Sequence, residues 1–557
     1  MLVNSCDPDH SQDWYQYSTG EQNGIRLKKE KSSDFDNFSK RQCAIIPDMK
    51  QRQRSRKGPL PFYISWKGAI FMQKKLGLGS AIAVCVGLIV ATSCLVSLGT
   101  GMGSIGRWFV IPMFAVMVLN WFVAVSFGEL NSLMPNVNGG TGQYLLAGMG
   151  PVASIVGNIS AYVITDMLSL TVEVSMCGIV LQELFFPQVD ARVISLIVLA
   201  GFFVINWFGV DMFSKVQNVV VFLLLASMLL LGLIGVFKLG NAANVVDYAA
   251  TAPTFAEIGG VTGLCKMAAL AFWLFIGVEF VIPVAKDMKN PRRDVLLSMT
   301  LGLLLLFVIQ SILGNGMLNY VSMEGLSNDA SSMPHMVYAT RLMGNVGRYW
   351  MGAITILAAA STVNTVYASI SKILQGMGEE GMAPSVFAKE NKHGAAYPGL
   401  IFMAVPIALL IISNVAATNG VSFLILTGSC FWLVGYCLIH LTVLRLRKKY
   451  PDHPRKKWLT LAGIPQIIGI IGNIYMIWHI DSGESRLNIY KLFVMGFVLL
   501  VAYAFIWVCA VIKTKPFATV PVEVINEGTT KFDELVKQEQ QIEAMEKALE
   551  KTGIHAE

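Results

Sequence analysis

Trp273-Leu274-Phe275-Ile276-Gly277-Val278-Glu279 sets a glycine and a carboxylate together deep in a long apolar run. Backbone that leaves the helix inside a bilayer must line a cavity or be covered by protein, so such a stretch points to a binding site. A second irregular stretch, Gly87-Leu88-Ile89-Val90-Ala91-Thr92-Ser93, clusters small and hydroxyl residues in the first apolar run. Taken alone, small residues there more often mean close helix packing than a site. The matching position of the two stretches and the carboxylate of Glu279 reverse that preference for the stretch Trp273 to Glu279.

Outward from these stretches, the chain is a series of apolar segments near the roughly 20 residues that a helix needs to cross hydrocarbon. Twelve are expected: 78–99, 108–132, 152–182, 192–208, 214–237, 264–285, 295–320, 346–374, 398–416, 420–444, 462–480 and 490–512. The two irregular stretches fall in the first and sixth, which is the offset that an inverted repeat of five plus five spans produces. The fold class is therefore an all-α polytopic membrane protein of about 12 transmembrane helices. Broken helices 1 and 6 open the two repeats, and two extra C-terminal helices complete the set.

Composition agrees. The 557 residues are 54% hydrophobic and 14% charged, far from the roughly 25% charged of soluble proteins, which excludes an ordinary cytosolic enzyme. Net charge is +7, with the basic excess in short segments beside apolar runs, as the positive-inside bias requires. Lys50 to Lys57 has too little aromatic interleaving for base stacking, so no nucleic-acid partner is expected. Nine cysteines form no CxxC or Cys/His pattern and read as packing residues; no metal or cofactor is expected.

The loops after the sixth span (Lys286, Lys289, Arg292, Arg293) and the tenth (Arg445, Arg447, Lys448, Lys449, Arg455, Lys456, Lys457) carry the positive charge. Both face the cytoplasm if the two termini do. Four regions are expected: a disordered basic segment 1–71, an inverted-repeat membrane core 72–444, a helix pair 445–512, and a cytoplasmic tail 513–557 with a charged helix near 529–551. Met72 leads directly into the first span, and the native chain is expected to start there if 1–71 is not translated.

Four motifs carry a resemblance. Phe127-Gly128-Glu129-Leu130 runs to Pro135, followed by Gly139-Gly140 and Gly142-Gln143-Tyr144. Phe208-Gly209-Val210 leads to Lys215-Val216-Gln217-Asn218. Trp273 to Glu279 precedes Lys289-Asn290-Pro291-Arg292-Arg293, and Ser369 to Lys372 precedes Gly378-Glu379-Glu380-Gly381-Met382-Ala383-Pro384. In this order and spacing, over residues 77 to about 450, the chain resembles the amino acid/polyamine/organocation superfamily of permeases and exchangers.

The resemblance implies a secondary transporter for an amino acid or related amine, working by alternating access in the cell membrane (the inner membrane if the source is bacterial). The alternative is a sensor that keeps the fold and moves nothing. Freed N–H groups at Ala91, Thr92 and Ser93 are expected to hold a substrate carboxylate, and carbonyls near Phe275, Ile276 and Gly277 its ammonium. Trp273 matches a family aromatic that covers substrate. Three features depart from the family: Ala91-Thr92-Ser93 replaces a glycine-rich stretch that is often Gly-Ser-Gly, Val366 stands where arginine exchangers carry tryptophan, and Leu224 where some proton-driven members carry lysine. Exchange and proton coupling are both left open, as is a homodimer. Ser361 and Thr362 could offer hydroxyls to sodium but are expected to bond to their own helix.

Three acids are expected to serve coupling or gating. Glu279 sits at the sixth-span break. Asp166 and Glu173 lie seven residues apart on nearly one face of the third span, roughly 10 Å along the axis. Lipid exposure of two acids there costs a few kcal/mol each, so that face turns inward. Neighbouring hydroxyls or Lys266 are their structural alternatives as partners.

Overall fold

Helices long and apolar enough to cross a membrane number eight among the described residues: Thr92–Leu133, Pro151–Phe185, Val219–Val236, Pro291–Leu318, Pro334–Glu379, Gly420–Lys449, Leu461–Trp478 and Gly483–Ile512. Shorter apolar helices cover Leu78–Gly87, Ala191–Trp207 and Tyr397–Ile412. Helix occupies part of each of the twelve expected segments, and no strand occurs among the described residues. The first long helical stretch holds the end of the first expected span and all of the second, divided by a tight turn at Gly106–Phe109.

The structure is a computed structural model and describes residues 77–135, 137, 141–208, 213–327, 333–415, 420–455, 461–481 and 483–526. The expected N-terminal segment with Met72 and Lys50 to Lys57, Gly139-Gly140, Gly209-Val210, Lys456-Lys457 and the tail helix lie outside the described residues.

Eight helices frame the centre: α1 (Leu78–Ile89), α2 (Thr92–Ile105), α3 (Val110–Leu133), α4 (Pro151–Asn158), α5 (Thr165–Phe185), α6 (Pro291–Leu318), α7 (Pro334–Glu379) and α8 (Gly420–Lys449). Burial separates core from periphery. The most apolar window of Pro151–Phe185 is 83% buried and that of Gly483–Ile512 only 22%, so α4 and α5 form the centre and the last helix faces lipid. Phe222, Ile471, Leu499 and Ile506 are exposed, as side chains whose solvent is hydrocarbon should be. Helix α5 packs on α7, α8 and α2, while α6 packs on α1 and α3.

Three interruptions shape this bundle. Between α1 and α2, Val90 (φ −77°, ψ 75°) and Ala91 (φ −97°, ψ 163°) leave helical geometry. In the sixth segment, helix Ala268–Phe272 gives way to an irregular turn, and Gly277 (φ 103°, ψ 9°) starts a 3₁₀ stretch, Val278–Asp287. That φ is open to glycine without a Cβ penalty. Between α4 and α5, residues Ile159–Ile164 wind as a π-helix, which inserts a residue and re-phases the helix beyond it. The Thr165 hydroxyl spans this bulge, donating to the Ser160 carbonyl at 3.0 Å and the Gly428 carbonyl at 2.9 Å. Helix α7 is also divided, at Met343 and Gly344.

At one end of α3 and α8, Glu129 accepts from Arg447 (Nη2 at 2.6 Å, Nε at 2.9 Å) and from Arg455 Nε at 2.7 Å. All three side chains are 15% exposed or less, so the carboxylate holds two largely desolvated guanidinium groups. Removing its charge is expected to destabilise the fold by on the order of 3 kcal/mol. Thermal unfolding of Glu129→Gln in detergent should show a clearly lowered midpoint, and a midpoint equal to the parent's would contradict this.

Candidate functional site

A helix that starts inside the bundle exposes N–H groups that need acceptors. The N-cap of α2 is Ala91, which has no side-chain oxygen to offer. The acceptor comes from α5. Glu173, fully buried, takes the Thr92 N–H on Oε2 at 2.8 Å and the Ser93 N–H on Oε1 at 2.9 Å. The Ala91 N–H donates to the Ile89 carbonyl at 2.8 Å. The three N–H groups expected to hold a substrate carboxylate thus all have acceptors within the chain, and Glu173's own carboxylate occupies that place. Of the alternatives the sequence offered, Lys266 is exposed and is not its partner, whereas the Thr92 and Ser93 hydroxyls add to the contacts of the carboxylate.

The two breaks face each other across a buried cavity of about 30 Å³. Ala91, Ser93 and Cys94 line it from the first break, Trp273, Ile276 and Gly277 from the sixth-segment break, Asp166 and Ser169 from α5, Thr362 and Val366 from α7, and Trp432 from α8. Phe275 is fully buried and is not among the lining residues. The breaks are tied directly. Trp273 Nε1 donates to Ser93 Oγ at 2.9 Å, and the Cys94 thiol lies 3.3 Å from the Trp273 carbonyl. From outside the cavity, Gln310 Nε2 donates to the Leu274 carbonyl at 3.1 Å and steadies the irregular turn.

The acids differ in how they are satisfied. Glu279 accepts from Trp432 Nε1 at 2.9 Å and Tyr436 Oη at 2.8 Å. The edge of Tyr162 packs on Trp432 with ring centres 5.4 Å apart. Asp166, 4% exposed, lines the cavity with Oδ2 buried and unpartnered. The seven-residue spacing therefore sends Asp166 to the cavity and Glu173 to the helix end. The hydroxyls of Ser361 and Thr362 are buried without partners, where bonds to their own helix were expected. Leu224 is buried and apolar.

Trp432 and Tyr436 escaped the sequence reading. Their signal was available: an i, i+4 pair of aromatic hydrogen-bond donors on one face of the tenth span. The role of Glu173 had no such local signal, because its partners lie about eighty residues earlier in the chain.

Comparison with known proteins bears on the family and the fold. The chain is 23% identical over 406 residues to histidine permease HisP of Lactococcus lactis, covering 69% of this chain and 84% of the relative. It is 24% identical over 427 residues to branched-chain amino acid permease BcaP of Bacillus subtilis, with 72% and 86% covered. The arginine/agmatine antiporter of Chlamydia pneumoniae is 24% identical over 401 residues, with 66% and 79% covered. Among solved structures, a manganese transporter of Eremococcus coleocola superposes with TM-score 0.53 at 13% identity, over 77% of this chain and 94% of that one; the likeness shows the fold. The amino acid permease model matches residues 76–514, and the chain belongs to that family, as a multi-pass membrane transporter of an amino acid or related amine and not an enzyme.

Proposed function

We propose that substrate crosses by alternating access through the cavity between the first and sixth-segment breaks. The observation that carries this is the Trp273–Ser93 hydrogen bond, which joins the two breaks over a small buried space. At about 30 Å³ that space has room for little more than water, so the breaks must part to admit an organic molecule. Rupture and re-formation of one 2.9 Å bond then accompanies each opening. Ile276, Gly277 and Asp166 meet the substrate's ammonium group, and Trp273 covers it.

The basic loops after the sixth and tenth spans support cytoplasmic placement of both termini, with 72–444 as the transporter core and 445–512 as an added helix pair. Glu279 is the proposed coupling group. It lies just past the positive-φ hinge of Gly277 and grips α8 through Trp432 and Tyr436. A change in its protonation alters that grip and with it the gate. Such a link serves either exchange or proton symport.

Counterflow of labelled amino acids and amines into liposomes holding the purified protein tests transport itself. Accumulation against an unlabelled internal pool is expected; binding with no counterflow is the behaviour of a sensor and would overturn the proposal. In that assay Trp273→Phe keeps the aromatic face and loses the bond to Ser93, worth about 1 kcal/mol or roughly fivefold. Trp273→Ala loses stacking, cation–π contact and cover as well, and should fall by more than about tenfold. Equal activity of the alanine variant and the parent would return Trp273 to a packing role.

Glu279→Gln keeps the shape of the carboxyl group and removes its titration. The variant should fold and show a flattened pH profile of uptake. A profile unchanged from the parent's would leave Glu279 with hydrogen bonding alone.

A further inference from the structure

We infer that the ligand of this site is an organic cation without a carboxylate, an amine for which Glu173 supplies in cis the carboxyl group that an amino acid would bring. The inference rests on the reading of the cavity as the transport site. The anion-binding end of α2 is already filled: Glu173 takes the Thr92 and Ser93 N–H groups at 2.8 and 2.9 Å from a fully buried position. A ligand carboxylate could seat there only by displacing Glu173, leaving a buried acid without its donors.

The remaining polar demand is for a donor. Asp166 Oδ2 is buried, unpartnered and set in the cavity wall. Neither acid beyond it competes for a ligand. Glu279 is held by Trp432 and Tyr436, and Glu173 by the backbone of α2. No lysine, arginine or histidine is among the cavity-lining residues, so a second carboxylate entering would find hydroxyls such as that of Thr362 but no cationic partner, beside the carboxyl group of Asp166. An ammonium group instead gains a charge-assisted hydrogen bond to Asp166 and the face of Trp273. Ile276 and Val366 on the same wall suit a hydrocarbon portion. Asp166 therefore reads the cation, and Glu173 denies the place of the anion.

The test compares each amino acid with its own decarboxylation product, so that one group changes at a time: lysine with cadaverine, histidine with histamine, and leucine with 3-methylbutylamine. Binding to the purified full-length protein is measured by thermal shift and by competition in liposome counterflow. For at least one pair the amine should bind about tenfold or more tightly than its parent. Glu173→Ala, which vacates the two N–H groups, should narrow that ratio by raising affinity for the amino acid. Glu173→Gln, which keeps one acceptor oxygen, serves if the alanine variant fails to fold and should narrow it less. Asp166→Asn should remove amine binding in a protein that remains folded.

Parents that bind as tightly as their amines in every pair, or a ratio unmoved by both Glu173 variants, would overturn the inference and leave the transport site standing. Failure of every amine and every parent to bind would overturn both. These outcomes keep the two readings apart.

Discussion

A helix N-terminus buried in a membrane protein must find acceptors for its N–H groups, and at α2 the residue in the capping position cannot supply one. Ala91 ends in a methyl group. The positive end of α2 would otherwise be buried away from water, where an unpartnered N–H costs several times what it does in solvent. Glu173 resolves this by reaching from α5 with both carboxylate oxygens. The same contact makes burial of a carboxylate tolerable, because two N–H donors and a helix dipole replace its hydration. Cap and acid are each stable only in the presence of the other.

That constraint sets the rest of the site. Fixing Glu173 on the end of α2 fixes the rotation of α5 about its axis, and two turns earlier the same face carries Asp166 into the cavity wall. The π-helical turn at Ile159–Ile164 sits immediately before this face, where an inserted residue adjusts its phase. Opposite, Gly277 allows the sixth segment to turn, Trp273 bonds to Ser93 across the gap, and Glu279 ties the turn to α8. One carboxylate holds a helix end, one holds a hinge, and the third is left open to a ligand.

Much of this was legible in the sequence. Apolar length located the helices, and a glycine beside a carboxylate at depth located the sixth-segment break, because few other reasons exist for Gly277 and Glu279 to share a span. What escaped was pairing at long range. Nothing near Glu173 says that its partners are Thr92 and Ser93, since a backbone N–H has no side-chain signature. The π-helical turn is equally silent, because the same apolar residues serve either winding. Ser361 and Thr362, left without partners, show the converse: local rules predicted bonds that the packing of α7 does not provide. The relatives, near 24% identity, define a family and leave the choice of ligand to the residues of the cavity.

Selectivity turns on where a bound ligand's charged groups lie relative to Glu173. An experimental structure of the full-length protein in lipid nanodiscs with a bound amine, at a resolution that shows side-chain oxygens, examines this without variants. The prediction is an ammonium nitrogen within hydrogen-bonding distance of Asp166, beneath Trp273, with Glu173 still on the N–H groups of Thr92 and Ser93. A ligand carboxylate on those two N–H groups, with Glu173 turned away, would contradict it, as would a ligand bound outside the cavity between the two breaks.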